Sequence, residues 1–354
     1  MRVIQTETGH LRFSDDDSRW PLVALTAGAL GLCAVALGGC AVDGAPGEAS
    51  DPILICGTCH DPSLIVYSLD NIMHVVHGDG SGDHNLGIVG FHPSLSHDRS
   101  RIVFVAGDGK LWMANVDGSN LTQVTAGSTA EYDPSFGPDD TELVFTSASS
   151  ADYGMGLDVY LTSASSQLTR VGQWRKLTSA GSFRASSPKL SADGTHVVFQ
   201  PGRYDDISGA AALVQVDAAL TNQAPSSWIY LTTPTFGLKH VDTDDGTPDL
   251  SADGATIVYV HDHAGYHNIY TMTAAGTHKA ALTSGNQHDD SPAWGPNDRI
   301  VFSSNRQYQV CSNGLCGPKE GDGSQTNLFA MNADGSGLVS LTGTTGQALT
   351  PSWQ

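Results

Sequence analysis

From Leu64 onward, short runs of β-branched and aromatic residues recur along the chain: "LIVYS" at Leu64, "RIVFV" at Arg101, "ELVFT" at Glu142, "HVVFQ" at His196, "TIVYV" at Thr256 and "RIVFS" at Arg299. The runs are continuously apolar rather than alternating, which predicts strands covered on both faces by neighbouring layers. A second pattern is set against them: a proline, any residue, then a large apolar residue. It occurs as "HPSLS" at Pro93, "DPSFG" at Pro134, "SPKLS" at Pro188, "TPDLS" at Pro248, "SPAWG" at Pro292 and "TPSWQ" at Pro351. The first five of these lead within about ten residues into an apolar run, and "LIVYS" has no such segment before it.

Each run is followed by another strand and a turn, as in "KLWMANVDGSN" from Lys110 and "NIYTMTAAGTH" from Asn268, and then by a short strand ending in threonine, such as "LTQVT", "AALTS" or "VSLTG". Four strands per unit, with prolines 41 to 60 residues apart, is the signature of a β-propeller blade. Proline cannot donate to a ladder, so it suits the innermost strand, whose free edge faces the central channel. Aspartate-glycine pairs in "SADGT", "SADGA" and "VDGSN" suit turns that need positive φ or a side chain bonding its own backbone. The final "TPSWQ" reads as the first strand of a unit and "LIVYS" as the second strand of one. Their pairing is expected to complete a blade from both termini, giving six blades and no open edge. No helical period appears after residue 62. The expected fold is all-β, a six-bladed propeller over 63–354.

The segments "DDSPAWGPNDRIVFSSNR", from Asp289 to Arg306, and "NLFAMNADGSG", from Asn327, resemble the WD-like propeller repeat of the TolB family. The resemblance covers residues 64–354 and implies the propeller and a location in the cell envelope. It does not select an activity, because the same repeat serves envelope scaffolds, peptidase propellers and metal-dependent pectate-type lyases. TolB has an α/β domain before its propeller, whereas only a short linker stands there in this chain. The resemblance therefore carries over the fold and the envelope, and not a role in the Tol complex.

Residues 21–39, "PLVALTAGALGLCAVALGG", are apolar and uncharged and end in "LGGC", which looks like a bacterial lipobox with Cys40 as the lipidated N-terminus. The reading divides the chain into a signal peptide (1–39), a lipidated N-terminus with a small, acidic, proline-bearing linker (40–62) and the propeller. The alternative is an uncleaved N-terminal anchor. Asp15, Asp16 and Asp17 depart from a basic leader, which Arg19 partly offsets. Both readings tether the body outside the cytoplasm. Ala41 follows Cys40, which favours the outer membrane over inner-membrane retention. With 17 basic against 37 acidic residues, the net charge of −20 repels phosphate backbones, so no nucleic-acid partner is expected. A monomer is expected.

In an oxidising compartment, the cysteines left after the leader and the lipid site form two close pairs, Cys56 with Cys59 and Cys311 with Cys316, read as disulfides. The segment "ICGTCHDP" also matches C-x-x-C-H haem attachment through Cys56, Cys59 and His60. Pro62 and the strand from Leu64 leave no room for a helical cytochrome, so a loop disulfide is the expectation. A haem c on His60 with His74 or His77 is the minority alternative. A four-thiolate zinc site would require the two pairs to meet and is not expected.

"VHDHAGYHN" places His261, His263 and His267 after a second strand. "KHVDTDDGTP" supplies His240, Asp242, Asp244 and Asp245 on the same rim, and the next unit adds His288, Asp289 and Asp290. Imidazoles and carboxylates gathered there suit a divalent cation, and the His-x-His element resembles the manganese site of oligogalacturonate lyases. The candidate ligands are His240, His261, His263, His267, His288 and Asp289; the competing reading is solvated turn residues. There is no G-x-S-x-G, H-E-x-x-H, P-loop or G-x-G-x-x-G segment. The leading expectation is an envelope lipoprotein that binds a protein or glycan through its rim loops without catalysis, without a resident cofactor. The segments 201–210, 218–227 and 307–326 are the expected specificity elements. The rivals are a polysaccharide lyase and a haem-bearing redox protein.

Overall fold

The computed structural model of the chain describes residues 2–5, 11–14, 63–148, 156–164, 174–179, 181, 183–203, 212–232, 245–263, 265–306, 308–312, 315–319, 325–343 and 345–354. The chain separates into two compact units, Met1–Cys59 and His60–Gln354. In the first, β1 (Arg2–Gln5) pairs antiparallel with β2 (Leu11–Ser14). Cys40, Cys56, Cys59 and His60 lie outside the described residues.

In the second unit the strands fall into successive antiparallel groups. The first holds β3 (Leu64–Leu69), β4 (Ile72–His77) and the start of β5 (His84–Leu95). The end of β5 opens the second, with β6 (Arg101–Ala106), β7 (Leu111–Asn115) and β8 (Thr122–Gln123). The third is β9 (Glu131–Phe136), β10 (Glu142–Ala148), β11 (Leu157–Ser163) and β12 (Arg175–Lys176). The fourth is β13 (Phe183–Leu190), β14 (His196–Arg203), β15 (Val214–Asp217) and β16 (Ile229–Tyr230). The fifth is β17 (Asp245–Leu250), β18 (Thr256–His263), β19 (Tyr266–Thr273) and β20 (Ala280–Ala281). The sixth is β21 (Asp289–Gly295) and β22 (Arg299–Ser304), then β25 (Asn327–Asn332) and β26 (Val339–Ser340). Between β22 and β25 runs a separate hairpin, β23 (Tyr308–Ser312) with β24 (Leu315–Lys319). The last strand, β27 (Ala348–Trp353), pairs with β3, Trp353 opposite Ile65 and Ser352 opposite Val66.

The core shows why the second strands are apolar without a break. Side chains alternate across a strand, and both faces of each second strand meet a hydrophobic cluster. Ile102 and Phe104 of β6 pack with Val66 and Val75 of the first group, while Val103 and Val105 pack with Leu143 and Phe145 of the third. Val144 then packs with Val197 and Phe199 of the fourth, and Val198 with Ile257 and Tyr259 of the fifth. Val258 and Val260 meet Ile300 and Phe302 of the sixth. Val301 in turn packs with Ile65, Tyr67 and Trp353 of the first. A polar residue within the apolar run would lose its water, whereas the buried hydroxyls at the ends of these strands have acceptors, Ser303 in Asp290 O and Ser304 in Asp289 Oδ1.

The proline segments have a common backbone. The residue before each proline adopts positive φ: His92 (52°), Asp133 (50°), Ser187 (49°), Thr247 (43°), Ser291 (51°) and Thr350 (49°). The ladder register shifts at the same place in every inner strand. Each is a β-bulge in which the missing proline N–H costs the ladder nothing. The residue after the proline reaches the next group. Ser94 Oγ accepts the Phe136 N–H at 3.2 Å, Ser352 Oγ accepts the Leu95 N–H at 3.0 Å, and Asp249 Oδ2 accepts the Trp294 N–H at 2.8 Å.

The threonines that close the repeats also have a role. Thr125, Thr178, Thr232, Thr283 and Thr342 accept backbone N–H groups of the preceding strand at 2.9 to 3.0 Å. Much of the negative charge sits in turns. Asp98 accepts from Ser96 Oγ, Ser100 Oγ and Ser100 N–H, and Asp193 from Ser191 Oγ, Thr195 N–H and Thr195 Oγ1. For Asp98 the Ser100 hydroxyl dominates and for Asp193 the Ser191 hydroxyl, and these bonds push both carboxyls down to about 2.

Candidate functional site

The histidine-rich rim lies where the fifth and sixth groups meet. The expected turn after the fifth group's second strand is shorter than the sequence pattern predicts: His261 and His263 continue β18, and His267 belongs to β19. The ladder pairs Asp262 with His267. His240, Asp242 and Asp244 lie outside the described residues.

The candidate ligands divide among three environments. His261 Nδ1 lies 2.6 Å from Asp245 Oδ1, with Asp245 buried, and its ring stands 4.7 Å from that of Tyr270. Asp289 is fully buried and turned inward. It accepts from Ser304 Oγ at 2.6 Å, from Arg306 Nη2 at 2.5 Å and from Arg306 Nε at 3.3 Å. The Arg306 guanidinium in turn covers the rings of Phe302 and Phe329 at 5.1 and 5.4 Å. A buried carboxylate needs such a matched cation and added hydrogen bonds to offset its lost hydration.

The third environment joins His267, His288 and Asp290. His267 Nδ1 lies 2.6 Å from Asp290 Oδ1, and the rings of His267 and His288 meet edge to face with centroids 4.9 Å apart. One donor atom from each of the three residues lies within 4.8 Å of the other two, and all three residues are half-buried. His267 Nε2 is 4.0 Å from Asp262 Oδ2. The local chain explains the sorting. In the extended segment His288-Asp289-Asp290 successive side chains point to opposite faces. His288 and Asp290 therefore share the side facing His267, and Asp289 goes to the interior. Backbone bonds hold His288, whose N–H donates to Asn305 Oδ1 at 2.9 Å. Asp290 is the member that the expected ligand set lacks, and the period-2 rule applied to "HDD" identifies it.

A second polar constellation, along the inner strands, is also absent from the sequence reading. His92 Nδ1 bonds Asp133 Oδ1, and Asp133 Oδ2 accepts the Ser187 N–H at 2.9 Å, so three consecutive pre-proline residues form a chain across three groups. Burial works to raise the Asp133 carboxyl, but the His92 bond and charge, the Ser187 N–H and Lys189 outweigh it and hold the group below its ordinary range. Burial likewise lowers His92, and the Asp133 carboxylate reverses this to a net rise. The signal available in the sequence is the pre-proline position of the repeat, occupied here by an imidazole and a carboxylate.

Of the minority haem ligands, His74 lies 3.1 Å from Asp83 Oδ1, which also accepts from the Tyr67 hydroxyl. His77 ends β4, with its N–H bonded to Ser81 O. Across β23 and β24 the register sets Cys311 directly opposite Cys316.

No family model matches the chain, and no curated protein does. Among solved structures it is similar to TolB from Acinetobacter baumannii, at 18% identity and a TM-score of 0.60 over 83% of this chain and 67% of that one. It is similar to a TolB described as putative from Agrobacterium tumefaciens, at 17% identity and a TM-score of 0.57 over 81% and 91%. A chain of a nidogen/laminin complex matches at 9% identity and a TM-score of 0.55 over 82% and 98%. The fold of the chain is that of a TolB-like β-propeller.

Proposed function

We propose that the chain is an envelope lipoprotein, anchored through Cys40, whose six strand groups close into a six-bladed propeller that binds a protein or glycan partner without catalysing a reaction. What carries the reading is how the side chains are allocated. Both faces of each second strand go to inter-group packing, and three of the buried carboxylates are matched to lysine or arginine: Glu131 to Lys110 at 3.3 Å, Asp158 to Lys176 at 2.7 Å and Asp289 to Arg306 at 2.5 Å. The interior therefore serves as a rigid support, and contact falls to the loops of the rims. The presence of the same fold in a nidogen/laminin complex supports protein recognition by it. The cell envelope is the compartment that the TolB resemblance implies.

The hairpin of β23 and β24 is the favoured specificity element, because it interrupts the sixth group without entering its sheet. A cross-linked pull-down from envelope extract with the chain from residue 40 tests the reading. One saturable partner, lost when residues 308–319 are replaced by a short glycine-serine linker, is the expected result. Recovery of nothing above a scrambled-loop control refutes it. For the anchor, Cys40→Ser is expected to move the protein from the membrane fraction to the soluble one. For the C-x-x-C-H segment the proposal is a Cys56–Cys59 disulfide, so expression alongside haem-maturation proteins is expected to give no Soret band.

A further inference from the structure

We propose that His267, His288 and Asp290 form a binding site for a divalent first-row transition ion of zinc type, at the seam between the fifth and sixth groups. This goes beyond the binding role above and does not depend on it. Two imidazoles and one carboxylate are a borderline donor set that suits zinc and its neighbours better than calcium or magnesium. Three donor atoms within 4.8 Å of one another can all reach one ion at bond lengths of about 2.0 to 2.2 Å with small side-chain rotations.

The contact between His267 Nδ1 and Asp290 Oδ1, 2.6 Å long, is bridged by a proton in the metal-free protein. A divalent ion takes that proton's place, bonding Nδ1 and the carboxylate together, while a nitrogen of the His288 ring closes the third position from 4.9 Å away, centroid to centroid. The surroundings supply what a metal site needs beyond its ligands. With Nδ1 committed, His267 has Nε2 4.0 Å from Asp262 Oδ2, beyond a hydrogen bond but near enough for the carboxylate charge to raise the basicity of the ring.

The ligands stand on rigid elements. His267 lies within β19 and Asp290 within β21, Asn305 holds the backbone of His288, and the buried Asp289–Arg306 pair locks the residue between two of the ligands. The three ligands are half-buried, so an ion has a path from solvent. Three protein ligands leave at least one coordination position for water or for an acidic group of a bound partner.

The test uses the full-length purified protein, freed of tag and stripped with chelator, titrated with zinc chloride alone against a chromophoric competitor and, separately, with cobalt(II) followed by its visible absorption. One equivalent is expected to bind, with cobalt giving the ligand-field bands of a nitrogen- and oxygen-ligated ion. His288→Gln and Asp290→Asn are each expected to weaken binding by more than roughly tenfold, and Asp262→Asn by about tenfold. His261→Gln is expected to leave it unchanged. Thermal melts of each metal-free variant report folding, and the wild-type cobalt spectrum stands independently of them. The proposal is overturned by absence of stoichiometric binding, by wild-type affinity in the His288 and Asp290 variants, or by loss of binding in His261→Gln with the other two unaffected.

Discussion

Ser352 Oγ accepts the Leu95 N–H at 3.0 Å, joining residues 257 positions apart. The same element is tied to β3, where Leu64 and Gln354 exchange backbone bonds at 3.0 Å and Trp353 Nε1 donates to Ser63 Oγ at 2.8 Å. Ser352→Ala leaves a buried N–H without its acceptor, for a loss of about 1–3 kcal/mol. Ser94→Ala, which removes the acceptor for Phe136 N–H, is expected to cost a similar amount. Denaturant unfolding at constant m-value measures both.

Gly295 packs against the Trp353 ring so closely that a Cβ there would overlap it, and Arg299 covers the same ring at 5.1 Å. The indole belongs to the first group and its neighbours to the sixth, so the overlap falls on the contact between them. Gly295→Ala is expected to destabilise the protein by about 1–3 kcal/mol through overpacking. Trp353 fluorescence should report a change in its surroundings.

Among the described residues, Arg306 is the one cation hydrogen-bonded to fully buried Asp289. Arg306→Met leaves that carboxylate uncompensated, at a cost of about 3–5 kcal/mol. The double variant with Asp289→Leu should recover a large part of the loss. A double-mutant cycle in urea measures the coupling.

The His92–Asp133 pair makes stability depend on pH. Asp133 is held below the ordinary 3.8, so its contribution is present above that value and is lost as pH falls through the lowered folded-state value. His92 is held above 6.5, so its contribution is complete below 6.5 and is lost as pH rises through the raised folded-state value. The difference in Tm between wild type and His92→Gln is therefore expected to be largest between pH 4 and 6.5 and to shrink at both ends. Thermal melts across that range check it.

Cys311 and Cys316 occupy directly opposed ladder positions, a separation within the reach of a disulfide. Protein purified without reductant and alkylated after unfolding is expected to show both thiols protected. Reduction should increase proteolysis between residues 308 and 319 while leaving the Tm of the remaining sheets unchanged. Alkylation of both cysteines in the unreduced protein would contradict this.

The order of strands was legible along the chain because each kind of element leaves its own periodicity. Continuous runs such as "RIVFV" mark strands with two buried faces, and Pro93 to Pro351 mark the strands whose ladder bulges at the proline. Even the pairing of β27 with β3 follows from which strand type stands at each end. What the sequence could not decide is which polar side chains meet. His261 and His267 are close in the chain, yet one turns to Asp245 and the other to Asp290. Adjacent Asp289 and Asp290 part between the interior and the rim. Repeat patterns are local and survive in a string of letters, whereas these partnerships depend on how neighbouring groups are placed against each other, and that placement is set by the packing of side chains far apart in sequence.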